Sequence, residues 1–156
     1  MKAENGFTLV ELIIVIFIIS LTTALVMPNL WDRGERAVRS EAKRISSTLM
    51  HVYDEAAGKK ETYALKIDFN ADSFSYESEK VSRSFRMKDD ISFKDIIIPS
   101  LGKISIGEVI YQFGPMGPEE PITLHLIKDD IEYTVMFNHI SGRAKIREGY
   151  YVEERS

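Results

Sequence analysis

Residues 6–27 read Gly6-Phe7-Thr8-Leu9-Val10-Glu11-Leu12-Ile13-Ile14-Val15-Ile16-Phe17-Ile18-Ile19-Ser20-Leu21-Thr22-Thr23-Ala24-Leu25-Val26-Met27, and the rest of the chain is organised around them. Past Gly6 the stretch is apolar over the about 20 residues a helix needs to cross a bilayer. It carries one carboxylate, Glu11. A charge inside a span costs roughly 2.5–3.5 kcal/mol on insertion scales, so a lone one asks for a function. No Lys, Arg or His lies between Phe7 and Pro28, so the span holds no counter-ion of its own. An ionised carboxylate in lipid must then find a partner elsewhere or lose its charge.

A polar leader, Met1-Lys2-Ala3-Glu4-Asn5-Gly6, precedes Phe7-Thr8-Leu9-Val10-Glu11 and the apolar run. This combination resembles the N-terminus of type IV pilin-like proteins, that is, type IV pilins and the pseudopilins of type II secretion. The resemblance implies that a prepilin peptidase cuts between Gly6 and Phe7 and methylates the new amine on Phe7. It also implies that Glu11 pairs with the N-terminal amine of a neighbouring subunit. Such pairing is physically consistent when adjacent helices are offset axially by about one turn, roughly 5.4 Å. The partners implied are other pilins or pseudopilins, the prepilin peptidase, an inner-membrane assembly platform and membrane lipid. Three plainer readings compete. An ordinary single-pass anchor leaves Glu11 unexplained. A secretory signal peptide would have only Lys2 in its n-region, offset by Glu4, and a poor cleavage site at Thr22-Thr23-Ala24. A buried core helix of a soluble protein would be unusually long and apolar.

The chain has 156 residues, 44% of them apolar, a net charge of −4 and no cysteine. Without leader and span, about 125 residues remain, enough for one compact core. The missing cysteines exclude disulfides, thiol catalysis and thiolate metal sites. The net charge does not suggest a nucleic-acid binder. Lysine and arginine near the span ends favour the opposite topology from the one the leader implies, since only Lys2 precedes the span while Arg33, Arg36, Arg39, Lys43 and Arg44 follow it. The expected localisation is therefore taken from the resemblance: a single-pass protein of the bacterial inner membrane, its C-terminal domain in the periplasm, assembled into a periplasmic filament.

Pro28 ends or kinks the apolar run, and Trp31 follows where an interfacial aromatic is expected. Val38, Ala42, Ile45, Leu49, Val52, Tyr53 and Ala56 then recur at steps of three and four, an apolar stripe on a helix. Arg36, Arg39, Glu41, Lys43 and Arg44 are read as its solvent surface, and Gly58 as its stop. After Gly58 the period becomes two. Tyr63 to Phe69, Phe74 with Tyr76, a weaker segment at Val81 to Met87, Ile91 to Ile98, Ile104 to Phe113, Ile122 to Leu126, Ile131 to Phe137 and Ala144 to Ile146 read as strands. Asn70-Ala71-Asp72, Lys128-Asp129-Asp130 and Ser141-Gly142 read as turns, and residues 114–121 as a loop. The expected fold is α+β: a long N-terminal helix, membrane-spanning then amphipathic, packed on an antiparallel β-sheet. The expected divisions are a leader (1–6), a transmembrane helix (7–30), its amphipathic continuation (31–58) and a periplasmic β-rich domain (59–156).

That element order, with a turn at Ser141-Gly142-Arg143, also resembles the H-type minor pseudopilins and related minor type IV pilins. It implies a structural subunit of the pseudopilus that drives protein export. The alternative is a minor type IV pilin of pilus assembly or DNA uptake, binding DNA through Arg143 and Lys145. Arg147 shares their face, but Glu148, Glu153 and Glu154 dilute the charge, and nucleic acid is not the expected partner. His51, His125 and His139 share no metal-ligand spacing and are read as exposed or packing residues. Asp89-Asp90 and Asp129-Asp130 lack the alternating oxygen donors of a calcium loop. No cofactor, metal or enzymatic activity is expected, since no phosphate cradle or nucleophile elbow occurs.

Overall fold

The computed structural model describes residues 8–88 and 90–152, with backbone alone for residues 26–32. The elements are α1 (Leu9–Lys59), β1 (Tyr63–Asp68), β2 (Ser73–Glu77), β3 (Ser82–Arg86), β4 (Ser92–Ile98), β5 (Gly102–Ile104), β6 (Glu108–Phe113), β7 (Ile122–Lys128), β8 (Ile131–Asn138) and β9 (Arg143–Glu148). The chain divides into two compact units, one ending at Glu35 and one running from Arg36.

Between Leu9 and Leu25, in the first unit, α1 presents apolar side chains on every side. Leu9, Leu12, Ile13, Phe17, Leu21 and Leu25 are all exposed in the single chain. A helix apolar all round belongs in lipid or among other helices. Its hydroxyls are silenced within the helix: Ser20, Thr22 and Thr23 donate to the carbonyls of Ile16, Ile18 and Ile19 at 2.7–2.8 Å. Back-bonding of this kind lets polar side chains sit in an apolar helix. Helical backbone runs through Pro28, so proline ends the apolar run without ending the helix. Among the described residues no helical segment is long and apolar enough to cross a membrane. The described apolar side chains stop at Leu25, while in the sequence the run continues through Val26 and Met27.

In the second unit the predicted stripe is the buried side of α1. Val38, Ala42, Ile45, Leu49, Val52 and Ala56 are almost inaccessible, and Tyr53 is half-buried at the edge. Two helix positions depart from the sequence reading. Glu41 is buried rather than solvent-facing, and it pairs with Arg44, which also donates to the Arg86 carbonyl at 2.8 Å and lies over the Phe74 and Phe85 rings. The helix also passes Gly58 and ends at Lys59, with Lys60 taking the left-handed conformation that terminates it (φ 54°).

The strands form two antiparallel sheets instead of one, ordered β3-β2-β1-β6 and β5-β4-β7-β8-β9. The apolar run Ile104 to Phe113 is the reason. It breaks at Gly107 (φ 79°), so that β5 ends in one sheet and β6 begins in the other. Both sheets face the helix stripe: Ile45 and Leu49 meet Leu65 and Phe74 of the first sheet and Phe93 and Leu124 of the second around one small apolar cavity. Asp72, in the β1–β2 turn, ties the sheets together by accepting from the Phe93 N–H and the Ser92 hydroxyl, each at 3.1 Å. A bulge in β4 between Phe93 and Asp95 shifts the register so that Phe93 faces Leu126 but Asp95 faces His125. The β7–β8 hairpin closes as expected, with Lys128 opposite Ile131 and Asp129 left-handed.

Candidate functional site

Gly6 and Phe7 lie outside the described residues. The site is visible from Thr8, which caps α1: its carbonyl accepts from the Leu12 N–H at 3.2 Å. The Glu11 N–H donates to Thr8 Oγ1 at 3.2 Å, while the Thr8 N–H and hydroxyl reach Glu11 Oε2 at 3.4 Å. This reciprocal pair is a capping box, in which an N-cap Thr and a Glu three residues on satisfy each other's backbone donors. The carboxylate also sits at the positive end of the helix dipole. The spacing Thr8-Leu9-Val10-Glu11 is the sequence signal for such a box. Reading Glu11 only as an unpaired charge in the span overlooked it. In the single chain Glu11 is exposed, and among the described residues its carboxylate hydrogen-bonds to Thr8 and meets no cation.

The other singled-out residues fall elsewhere. Arg143 and Lys145 are exposed on the edge strand β9, opposite Asn138 and Met136 of β8. Arg147 shares their face, but its guanidinium lies 5.3 Å from the centre of the Tyr151 ring. His51 meets Tyr76 edge-on. His125 is fully buried and hydrogen-bonded, an environment that its position between Leu124 and Leu126 did not announce. Among the described residues no group of three or more His, Cys, Asp or Glu could hold a metal ion.

Residues 1–27 match the family described as the prokaryotic N-terminal methylation motif. The fold is similar to that of the minor pseudopilin EpsH from the type 2 secretion system of Vibrio cholerae. The TM-score is 0.52 at 14% identity, over 71% of this chain and 96% of that one. The fold is pilin-like. No curated protein sequence matches it. As in the sequence reading, the pilin-like architecture is a helix on antiparallel strands, and the likeness to EpsH extends that agreement to the fold. The methylation motif at residues 1–27 thus precedes a domain of EpsH-like fold.

Proposed function

We propose that this pilin-like chain is a minor pseudopilin, a structural subunit of a periplasmic filament in a type II secretion system. The observation that carries the reading is the conjunction of Gly6-Phe7-Thr8-Leu9-Val10-Glu11 with a domain of EpsH-like fold. Prepilin peptidase cleaves after Gly6 and methylates Phe7. The all-round apolar helix anchors the chain in the inner membrane, then enters the filament among other pilin helices. Glu11 pairs there with a neighbour's terminal amine, and the second unit stands on the filament surface in the periplasm. A fold whose polar clusters serve packing supports a structural role over catalysis.

Intact-mass measurement tests the reading. Co-expressed with a prepilin peptidase, the chain should lose residues 1–6 and gain one methyl group, and Gly6→Leu should retain the leader. A wild-type chain that keeps residues 1–6 under those conditions would overturn the assignment.

A further inference from the structure

The second sheet buries polar side chains on the face turned away from the helix. Ile96, Leu124 and Val135 point into the core, so by the pleat their neighbours Asp95, His125 and Thr134 point outward, yet all are inaccessible. What covers them is the chain's own continuation beyond β9. Gly149 turns with φ 89° and donates its N–H to the Glu132 carbonyl at 2.7 Å. Thr134 Oγ1 donates to the Gly149 carbonyl at 2.6 Å and accepts from the Tyr151 N–H at 3.0 Å. Tyr150 stacks on the His125 ring, 3.8 Å between centres and 15° between planes. Residues 149–152 thus form a strap across the sheet.

His125 holds the strap from below. Its Nδ1 is 2.6 Å from Asp95 Oδ1 and its Nε2 is 2.7 Å from the Tyr151 carbonyl oxygen. Both partners are acceptors. Lys103 Nζ stands 3.3 Å from the other Asp95 oxygen, Oδ2, so a cation faces the carboxyl group from its far side. Two acceptors require two N–H donors, and only an imidazolium has both. The β4 bulge makes this arrangement, since without the shift Lys94 would stand opposite His125.

We propose that His125 is a pH-operated clasp. Its imidazolium holds the Gly149–Val152 strap across the second sheet, and loss of one proton releases the strap and uncovers Asp95, His125 and Thr134. The sign follows from the partners. A neutral ring has one N–H, which goes to the stronger acceptor, the Asp95 carboxylate. Nε2 then presents a lone pair to the Tyr151 carbonyl, and attraction becomes repulsion. The surrounding charges are Lys94 and Asp95 on β4, Lys103 on β5, Glu132 on β8 and Arg147 on β9. Lys94 is matched by Glu132 at 2.5 Å and Lys103 by Asp95. Lys94 and Lys103 also lie 5.0 and 5.2 Å from the centre of the Tyr150 ring, and Arg147 caps Tyr151. Asp95 is therefore the anion in direct contact with the ring. The strap is closed while the ring carries both protons and opens as pH rises and one of them is lost.

Hydrogen exchange of the full chain in detergent micelles, read by mass spectrometry and corrected for intrinsic exchange, tests the clasp. The Gly149 and Tyr151 amides should exchange at least about tenfold faster at high pH than at low, the loss of one charge-assisted bond, while β7 and β8 amides keep their protection. His125→Phe keeps the stack with Tyr150 but has no N–H, and its strap should be open at both pH values. His125→Gln keeps amide donors without titrating, and its strap should lose the pH dependence. Wild-type strap protection that does not change with pH overturns the proposal, whatever the variants do. So does strap opening accompanied by equal loss in β7 and β8, which would be global unfolding.

Discussion

Gly142 lies against the face of Tyr53: a Cβ on Gly142 would stand 2.3 Å from Cδ1 of the ring, with the backbone at φ +64°. The contact pins the β8–β9 turn to the helix, and the Tyr53 hydroxyl adds a hydrogen bond to the Ile140 carbonyl at 3.2 Å. Gly142→Ala therefore suffers twice, from a left-handed backbone and from overpacking, and should lose about 2–4 kcal/mol of stability. Tyr53→Ala in the same chain should recover the overpacking part but not the backbone part. A double-mutant cycle by denaturant unfolding separates them. Additive effects would show that the two residues do not press on each other.

Much of this packing was legible beforehand, and the exceptions share a cause. The helix stripe from Val38 to Ala56 and the alternation in Tyr63 to Phe69 are one-dimensional patterns, and each appears in the structure as read. The split of Ile104 to Phe113 between two sheets depends on one left-handed glycine inside a continuous apolar run, which periodicity does not register. Glu41 looked like surface because charge usually marks solvent, and Arg44 with Phe74 and Phe85 overrode that rule from across the fold. His125 alternated outward as expected, but a strap more than twenty positions later in the chain buried it. At the N-terminus the motif was fully legible, whereas the capping box was present in Thr8 and Glu11 and went unread.

The Glu41–Arg44 pair gives a second prediction. Arg44→Met leaves a buried carboxylate without its cation and should cost about 3–5 kcal/mol. Replacing both residues, with Glu41→Leu and Arg44→Met, should cost less than the single change because no charge is stranded. Thermal melts of the wild type and the two variants check it. A double variant less stable than Arg44→Met alone would mean that the pair is net stabilising beyond its packing.

Alkaline pH supplies a third. Burial against the Glu120 carbonyl, to which its hydroxyl donates, pushes Tyr111 well above the ordinary tyrosine range. The unfolded chain then sheds this proton first, near about pH 10, so the native state binds more protons and stability falls as pH rises beyond that point. Lys59, Lys66 and Lys80, each raised by a hydrogen-bonded glutamate, act in the same direction, as does Lys103 beside Tyr150 and Asp95. Tyr111→Phe should cost about 1 kcal/mol at neutral pH through the lost hydrogen bond, and its stability should decline less steeply above about pH 10. Parallel pH profiles for the two proteins would contradict the assignment.

The last prediction separates the two roles open to Glu11. As a cap, the side chain needs only an acceptor that reaches the Thr8 N–H, and glutamine serves at that position of a capping box. As a partner for a neighbour's terminal ammonium, it needs its charge. Glu11→Gln should therefore keep the start of α1 and lose filament incorporation, while Glu11→Asp, shorter by one methylene, should be milder. Thr8→Ala is the reverse case: it removes the cap, at about 0.5–2 kcal/mol, and keeps the carboxylate. Glu11→Leu should insert into the membrane at least as well as wild type, because the cost of the charge is gone, and should still be cleaved after Gly6. Cross-linking to partner pilins in membranes reads assembly, and intact mass reads cleavage. If Glu11→Gln assembles like wild type while Thr8→Ala fails, the carboxylate works as a helix cap and the pairing account is wrong. The opposite pattern, with cleavage intact throughout, places the function of Glu11 between subunits.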